Sequence, residues 1–222
     1  TYDHLTTIVG GGPFRLNPGE WTDDTSMALA LTDSLIINQG FNPSDLMRRF
    51  LSWWENGKYS HNYRCFDIGG TCKTALNNFK ISGNPYSGDT HFLAAGNGGL
   101  MRLAPAVLFY HNDRDKAIEA ALLQNKTTHP STECMHAARI FSEYLWRALE
   151  VENRFELFDF NPTIPLDIKA YPYLNLTIEK EFMNMLREEV ESTGYVSASL
   201  LASLWSVYNT DNFKDAVLLA AN

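Results

Sequence analysis

The chain has 222 residues, of which 45% are hydrophobic and 20% are charged, and it carries a formal net charge of −8 with a pI near 5.2. This length and apolar content allow one substantial hydrophobic core, and we expect a single domain over residues 1–222. The negative charge argues against a nucleic-acid backbone or an anionic membrane surface as the partner.

The three cysteines are odd in number and too few for a disulfide scaffold. Cys65 and Cys72 lack the C-x-x-C spacing of a structural zinc site, so we interpret them and Cys134 as thiols in or near the core. No uninterrupted apolar run approaches the ~18 residues that a membrane span requires. We therefore expect a cytoplasmic protein with reduced thiols.

Apolar side chains recur at helical spacing along most of the chain. Met27 and Leu31 share one face of the first such segment, and Gly40 is a typical C-terminal stop. In the second segment Asn42 is placed to cap the helix, with Pro43 at the first helical position. The pattern predicts helices over residues 22–40, 43–56, 71–79, 100–109, 114–123, 132–150, 179–191, 197–207 and 213–221.

The helical pattern lapses between residues 151 and 173. Three prolines, Pro165 among them, interrupt it, and phenylalanines that include Phe155 and Phe158 alternate with polar residues. We predict an irregular surface connection here. No segment shows strand alternation followed by a hairpin turn, so the predicted fold class is all-α.

An acidic turn stands where the first helix is predicted to begin. Residues 19–25 read G-E-W-T-D-D-T and place two carboxylates beside two hydroxyls. Thr22 is placed to cap the helix, with Asp23 and Asp24 in the first turn where the helix dipole favours negative charge. The same oxygen atoms also suit a hard cation such as Mg²⁺, Mn²⁺ or Ca²⁺. The residues alone leave both interpretations open.

Four further motifs follow in order after this turn. They are F-D-I-G at 66–69, G-N-G-G-L-M-R-L-A-P at 96–105, T-H-P at 128–130 and, more weakly, G-Y-V at 194–196. Together with G-E-W-T-D-D-T, this ordered set resembles the ADP-ribosylglycohydrolase family. The resemblance runs from about residue 9 to the end of the chain, and it implies a single compact orthogonal helical domain.

The resemblance implies a metal site built on the acidic turn. Thr22, Asp23 and Asp24 would be ligands of two Mg²⁺ ions, with Mn²⁺ as the alternative, and the two aspartates would also be catalytic. Asp67 would be a catalytic carboxylate that grips the ribose hydroxyls or stabilises the oxocarbenium-like transition state. Without the resemblance, Asp67 is equally well interpreted as the cap of the helix near Thr71.

The resemblance also implies the residues that hold the substrate, in two loops. Gly96, Asn97, Gly98 and Gly99 would let the backbone approach the phosphates of ADP-ribose, because a Cβ atom would hold the ligand away. Met101 would line the same site, and His129 would donate to a phosphate or ribose oxygen. Taken alone, G-N-G is more often a simple turn and a single loop histidine is more often a surface residue.

Two elements of the family are missing from the sequence. Members usually carry a G-D-A-L-G-like element with an acidic metal ligand before the glycine loop, and a G-G-D-x-D-T motif just after a segment like residues 213–222. We therefore expect the chain to be part of a longer protein, incomplete at both ends. A third departure is Gly70, where the family often has Asn.

The function implied by the resemblance is metal-dependent hydrolysis that removes ADP-ribose from a modified protein side chain. Arginine-linked ADP-ribose is the preferred substrate, because G-E-W-T-D-D-T with F-D-I-G looks most like the bacterial dinitrogenase-reductase-activating branch. The alternative is a non-catalytic protein that binds ADP-ribose, or an immunity-type protein that blocks an ADP-ribosyltransferase. A weaker third interpretation is a structural relative such as the eye-lens crystallins.

Overall fold

The regular structure of the protein is helical throughout the part that the computed structural model describes, residues 4–163, 168–191 and 193–222. Two isolated β-bridges, Gly11 with Leu16 and Gly96 with Tyr195, are the only ladder pairings in these ranges. The predicted all-α class is confirmed. The helices are α1 Asp23–Asn38, α2 Pro43–Asn56, α3 Gly70–Ser82, α4 Ala104–Phe109, α5 Arg114–Lys126, α6 Thr132–Ala148, α7 Arg154–Phe158, α8 Pro172–Ile178, α9 Val196–Tyr208 and α10 Phe213–Ala221.

The second helix shows how local sequence sets its ends. The Asn42 side chain accepts a hydrogen bond from the backbone N–H of Asp45 at 3.0 Å, and Pro43 takes the first helical position. Gly57 ends the helix with a φ of 68°, and a Cβ there would lie 2.0 Å from the backbone of Tyr63. Only glycine fits this stop, and the predicted range of 43–56 is confirmed.

Two predicted helices differ from the structure. The segment predicted as 100–109 is helical only from Ala104, because Pro105 lacks an N–H and is tolerated only in a first turn. The helix predicted over 179–191 is wrong, since that segment forms two short 3₁₀ turns, Glu181–Asn184 and Arg187–Glu189. Between them Met185 is extended, and its carbonyl accepts a hydrogen bond from the indole of Trp205 instead of a helical N–H.

The predicted surface connection over 151–173 is wrong in part. It contains α7 and a 3₁₀ turn at Ile168–Ala170, while Pro165 lies outside the described residues. Phe158 is 3% exposed, and its ring lies 5.4 Å from that of Tyr208. Its burial in an aromatic cluster stabilises a segment that shows no helical periodicity.

One hydrophobic core joins the helices in the described ranges. In this core α5 packs against α4 and α6, α1 packs against α2 and α4, and α9 packs against α6, α8 and α10. The three cysteines are free, with Cys72 and Cys134 buried and Cys65 half-buried, as predicted. Among the helices described, each is too short or too polar to span a membrane.

Replacement of Phe158 by alanine tests whether the connection belongs to the core. We expect the free energy of unfolding to fall by about 3–5 kcal/mol, because a buried ring is lost and a cavity is left. Phe155→Ala, in the same helix but 65% exposed, is the matched control and is expected to cost less than about 1 kcal/mol. Urea denaturation of both variants measures the difference, and equal losses would contradict this packing.

Candidate functional site

The start of α1 does not form the expected side-chain cap. Thr22 is the N-cap residue, but its side chain makes no capping hydrogen bond to the backbone. Instead its hydroxyl donates to Oδ2 of Asp24 at 2.9 Å. Asp23 and Asp24 occupy the first turn as predicted, where the helix dipole favours their charge. Thr22 and both aspartates therefore offer oxygen atoms from one rigid turn.

Asp67 does not cap α3. The N-cap of that helix is Gly69, which leaves the Asp67 carboxylate two residues upstream and free of a capping role, so the cap interpretation is wrong. Partial burial raises the pKa of Asp67, and the charge of Asp24 raises it further. Asp67 is thus close enough to the acidic turn to interact with it electrostatically.

The three carboxylates of Asp23, Asp24 and Asp67 form one group, called the acidic cluster below. Burial raises the pKa of Asp23 to about 7, and the charges of Asp24 and then Asp67 contribute in the same direction. Like charges in a half-buried site destabilise one another unless a cation offsets them. The cluster therefore has the electrostatics of a cation site.

Aromatic contacts hold the two acidic segments together. The rings of Trp21 and His61 meet edge-on at 5.6 Å, and His61 meets Phe66 at 5.5 Å. The His61 ring also contacts the Trp21 carbonyl at 2.9 Å through Nδ1, and the Trp21 indole donates to the Tyr59 carbonyl. Trp21 precedes the acidic turn and Phe66 precedes Asp67. This aromatic brace thus fixes both segments relative to each other.

The glycine loop, residues 96–99, lies against the start of α9. The backbone N–H of Asn97 donates to the Gly194 carbonyl at 3.0 Å, and its side-chain amide donates to the Ser199 hydroxyl at 3.0 Å. Gly99 has room for no side chain, because a Cβ would lie 1.7 Å from Oδ1 of Asn125. The loop forms a short 3₁₀ turn, Asn97–Gly99, packed tightly onto the core.

The start of α9 is in turn anchored to α6. The buried carboxylate of Glu133 accepts hydrogen bonds from the hydroxyls of Tyr195 and Ser197. Burial and the contact with Glu133 raise the pKa of Tyr195 to about 12, so its phenol stays protonated as a donor. Glu133 thereby fixes the element that supports the glycine loop.

A cavity of about 280 Å³ connects the acidic turn to the glycine loop. Its wall brings together three residues predicted for the site, Asp24, Asn97 and Met101. Phe141 and Leu200 add apolar surface, and Ser203 adds a hydroxyl. Mostly apolar walls with a few convergent polar groups are typical of small-ligand sites.

His129 lies beneath the glycine loop rather than at the surface. Its side chain is buried, and its ring lies within 3.5 Å of the positions that Cβ atoms would take at Gly96 and Gly98. Burial and the neighbouring Arg102 charge lower the pKa of His129 to about 3, so the ring is neutral near pH 7. Direct contact of His129 with a ligand stays a prediction; the observed contacts are with the loop.

The donor chemistry of the acidic cluster fits magnesium. Every candidate ligand atom in Thr22, Asp23 and Asp24 is oxygen, and Mg²⁺ commonly binds through one or two carboxylates with water completing its shell. Within the described ranges no three His, Cys, Asp or Glu side chains converge into a group that would hold a metal alone. These residues would therefore supply part of a ligand set.

A profile of the ADP-ribosylglycohydrolase family matches residues 2–222. The chain belongs to the ADP-ribosylglycohydrolase family. The solved structure of an ADP-ribosylglycohydrolase-related protein complex resembles this family member with a TM-score of 0.79 and 34% sequence identity. That likeness covers 99% of this chain and 70% of that chain.

Curated relatives in the family include two described as ADP-ribosylarginine hydrolase Tri1. The protein of Serratia proteamaculans strain 568 is 37% identical over 219 residues, and that of Pseudomonas putida strain GB-1 is 35% identical over 220 residues. Each alignment covers 99% of this chain and 58% of the relative. An ADP-ribosyl-[dinitrogen reductase] glycohydrolase of Rhodospirillum rubrum is 38% identical over 105 residues, 46% of this chain and 32% of the relative. The chain thus spans little more than half the length of the two arginine hydrolases.

Three residues that support the candidate site were not predicted from the sequence. His61 joins the aromatic brace, Arg102 lies under the glycine loop, and Glu133 fixes the start of α9. Arg102 and Glu133 are charged residues on otherwise apolar faces, and that pattern is a signal for a buried polar network. Nothing in the sequence pattern around His61 indicates its contacts.

The buried neutral His129 predicts a pH dependence of stability. Its folded pKa lies near 3 and its usual value is 6.5, so only the unfolded chain takes up the proton between these values. Its contribution to stability is therefore complete above about pH 6.5 and is lost as pH falls towards 3. We expect His129→Gln to flatten the dependence of the unfolding free energy on pH by up to ~1.4 kcal/mol per pH unit in this window.

Chemical denaturation between pH 4 and 8 measures these slopes. His4→Gln is the control, because His4 is exposed and should leave the slope unchanged. If His129→Gln and the unaltered protein show the same slope, His129 is not held neutral in the folded state.

Proposed function

We propose that the whole protein is a magnesium-dependent hydrolase that removes ADP-ribose from arginine side chains of modified proteins. The observation that carries the proposal is a cavity lined both by Asp24 of the acidic cluster and by Asn97 of the glycine loop. Similarity to two ADP-ribosylarginine hydrolases supports the arginine linkage. Cytoplasmic location and the lack of nucleic-acid partners stay predictions from composition and charge.

In this proposal the acidic turn binds and orients. Asp23 and Asp24 bind the cation together with the hydroxyl of Thr22. In the structure that hydroxyl donates a hydrogen bond to Asp24. The chemistry that bound magnesium supplies is activation of a water and neutralisation of charge beside the ribose. Asp67 interacts electrostatically with Asp24, and in this proposal it holds ribose hydroxyls or stabilises positive charge that develops at the anomeric carbon.

The glycine loop holds the anionic part of the substrate. With a chain net charge of −8, the diphosphate is best bound by the backbone of the glycine loop, where the Gly98 N–H has no acceptor within the described ranges, rather than by a field of lysine and arginine. Met101 and Phe141 form an apolar wall of the adjacent cavity, which excludes water from the bound ligand. The bond broken is the N-glycosidic bond between the ribose and the arginine side chain.

Release of ADP-ribose from an arginine-modified protein tests this function directly. We expect the full-length protein to release ADP-ribose with Mg²⁺ and to stop when EDTA is added. Replacing both aspartates, Asp23→Ala with Asp24→Ala, should lower the rate on the order of 100-fold or more, because charge next to the ribose is no longer stabilised. Full metal-dependent activity in the double variant would refute the proposal.

Asp33→Ala is the matched control for that experiment. Asp33 lies in the same helix, is about half exposed and pairs with Arg49 at 3.2 Å, outside the acidic cluster. Its replacement should leave the release rate within about two-fold, because Asp33 lines neither the cavity nor the acidic cluster. Tight ADP-ribose binding without release by the unaltered protein would instead favour a reader. Binding of an ADP-ribosyltransferase without release would favour a blocking protein.

A further inference from the structure

Arg102 is a fully buried arginine with 0% exposure. The acceptors found for its guanidinium are neutral: carbonyl, hydroxyl, amide and sulfur atoms. One face of the group lies 4.7 Å from the ring centre of Phe50 in α2. A buried charge with neutral acceptors is costly, so a specific role for its geometry is expected.

The guanidinium fork fixes the glycine loop from below. Nε donates to Oε1 of Gln124 at 2.9 Å, and one terminal nitrogen donates to the Gly98 carbonyl at 2.9 Å. The Gln124 side chain also donates to the Gly99 carbonyl at 2.9 Å. Two successive loop carbonyls are therefore drawn inward by one rigid arginine–glutamine pair.

The direction of these carbonyls sets the direction of a loop N–H. The peptide between Gly98 and Gly99 is trans, so its N–H points opposite to its carbonyl. With the Gly98 carbonyl turned inward to Arg102, the Gly99 N–H points away from the guanidinium. Gly99 is buried at the end of the 3₁₀ turn, and within the described ranges the Gly98 N–H donates to no protein acceptor. The Gly98 N–H is therefore the loop donor that an anion would use.

The second terminal nitrogen of Arg102 is linked through Thr128 to the histidine beneath the loop. The other terminal nitrogen of Arg102 donates to the Thr128 hydroxyl at 2.7 Å, and that hydroxyl lies 2.8 Å from Nδ1 of His129. Because arginine can only donate, the Thr128 oxygen accepts from it, and the same hydroxyl shares a second hydrogen bond with Nδ1. Nε2 of the neutral His129 ring lies against the underside of Gly96 and Gly98.

We propose that Arg102 is a positioning residue that, through Gly98, Gln124 and Thr128, presets the backbone of the glycine loop for a diphosphate. It also contacts Sδ of Met27 in α1 at 3.8 Å and Sγ of Cys72 in α3 at 4.0 Å. The same side chain therefore ties the loop to the two helices next to the acidic cluster. The choice of a diphosphate rests on the proposed function, whereas the presetting of the loop does not.

Thr128→Val is the sharpest test, because it removes the hydroxyl and keeps the shape and the net charge. In the full-length protein we expect faster hydrogen exchange confined to residues 98–101. We also expect an ADP-ribose Kd about ten-fold higher, the loss of roughly one buried hydrogen bond. The Kd of adenosine, which lacks the diphosphate, should change less than about two-fold, since its contacts are unaltered.

Two further variants separate positioning from simple destabilisation. Thr128→Ser restores the hydroxyl and should restore both the exchange pattern and the ADP-ribose Kd. Arg102→Lys keeps the charge but loses the planar guanidinium. Its hydrogen exchange at residues 98–101 and its ADP-ribose Kd should increase at least as much as those of Thr128→Val. Arg154→Lys is the matched control, because Arg154 is a half-buried arginine bound to the Thr210 carbonyl beside α9, away from the loop.

The outcomes distinguish this inference from the proposed function. The inference fails if the hydrogen exchange rate in Thr128→Val rises as much over residues 196–221 as over residues 98–101. It also fails if the Kd values of ADP-ribose and adenosine increase by the same factor. In either case Arg102 is only structural. If the unaltered protein binds no ADP-ribose, the proposed function fails. Exchange confined to residues 98–101 would still establish the presetting of the loop in that case.

Discussion

Mutual repulsion among Asp23, Asp24 and Asp67 is the constraint on which the rest of the site depends. Burial, and then the charges of Asp24 and Asp67, raise the pKa of Asp23 to about 7. Such a cluster would separate if its segments were free to move. The aromatic brace around His61 prevents this, because interlocked edge-on rings hold the turn before α1 against the segment before α3.

Charge balance beneath the site follows from the same constraint. Arg102 lies fully buried between the glycine loop and α2; burial lowers its pKa, whereas nearby groups that include the Asp23 carboxylate raise it. The site thus combines one buried positive charge with carboxylates and with the Gly98 N–H, which has no acceptor in the described ranges. A chain with a net charge of −8 can accommodate an anion in this way without a basic surface.

The sequence predicted most of the fold because helix signals are local. The Asn42 cap and the Gly57 stop set the ends of α2 by contacts within a few residues. The failures were tertiary: Trp205 draws the Met185 carbonyl out of a predicted helix, and the aromatic cluster buries Phe158 in a predicted surface connection. At the site, motifs predicted roles for Asp23, Asp67 and the glycine loop, and these stay predictions, whereas the supporting contacts of His61 and Glu133 join residues distant in sequence. No local pattern encodes such contacts.

A crystal structure of the full-length protein with Mg²⁺ and ADP-ribose tests the central claim most directly. We predict a cation about 2.1 Å from carboxylate oxygens of Asp23 and Asp24, with the ribose next to Asp67. The diphosphate should then lie against the glycine loop, within hydrogen-bond distance of the Gly98 N–H. A ligand bound elsewhere, or a cation that contacts neither aspartate, would contradict a hydrolase site built on the acidic cluster and the glycine loop.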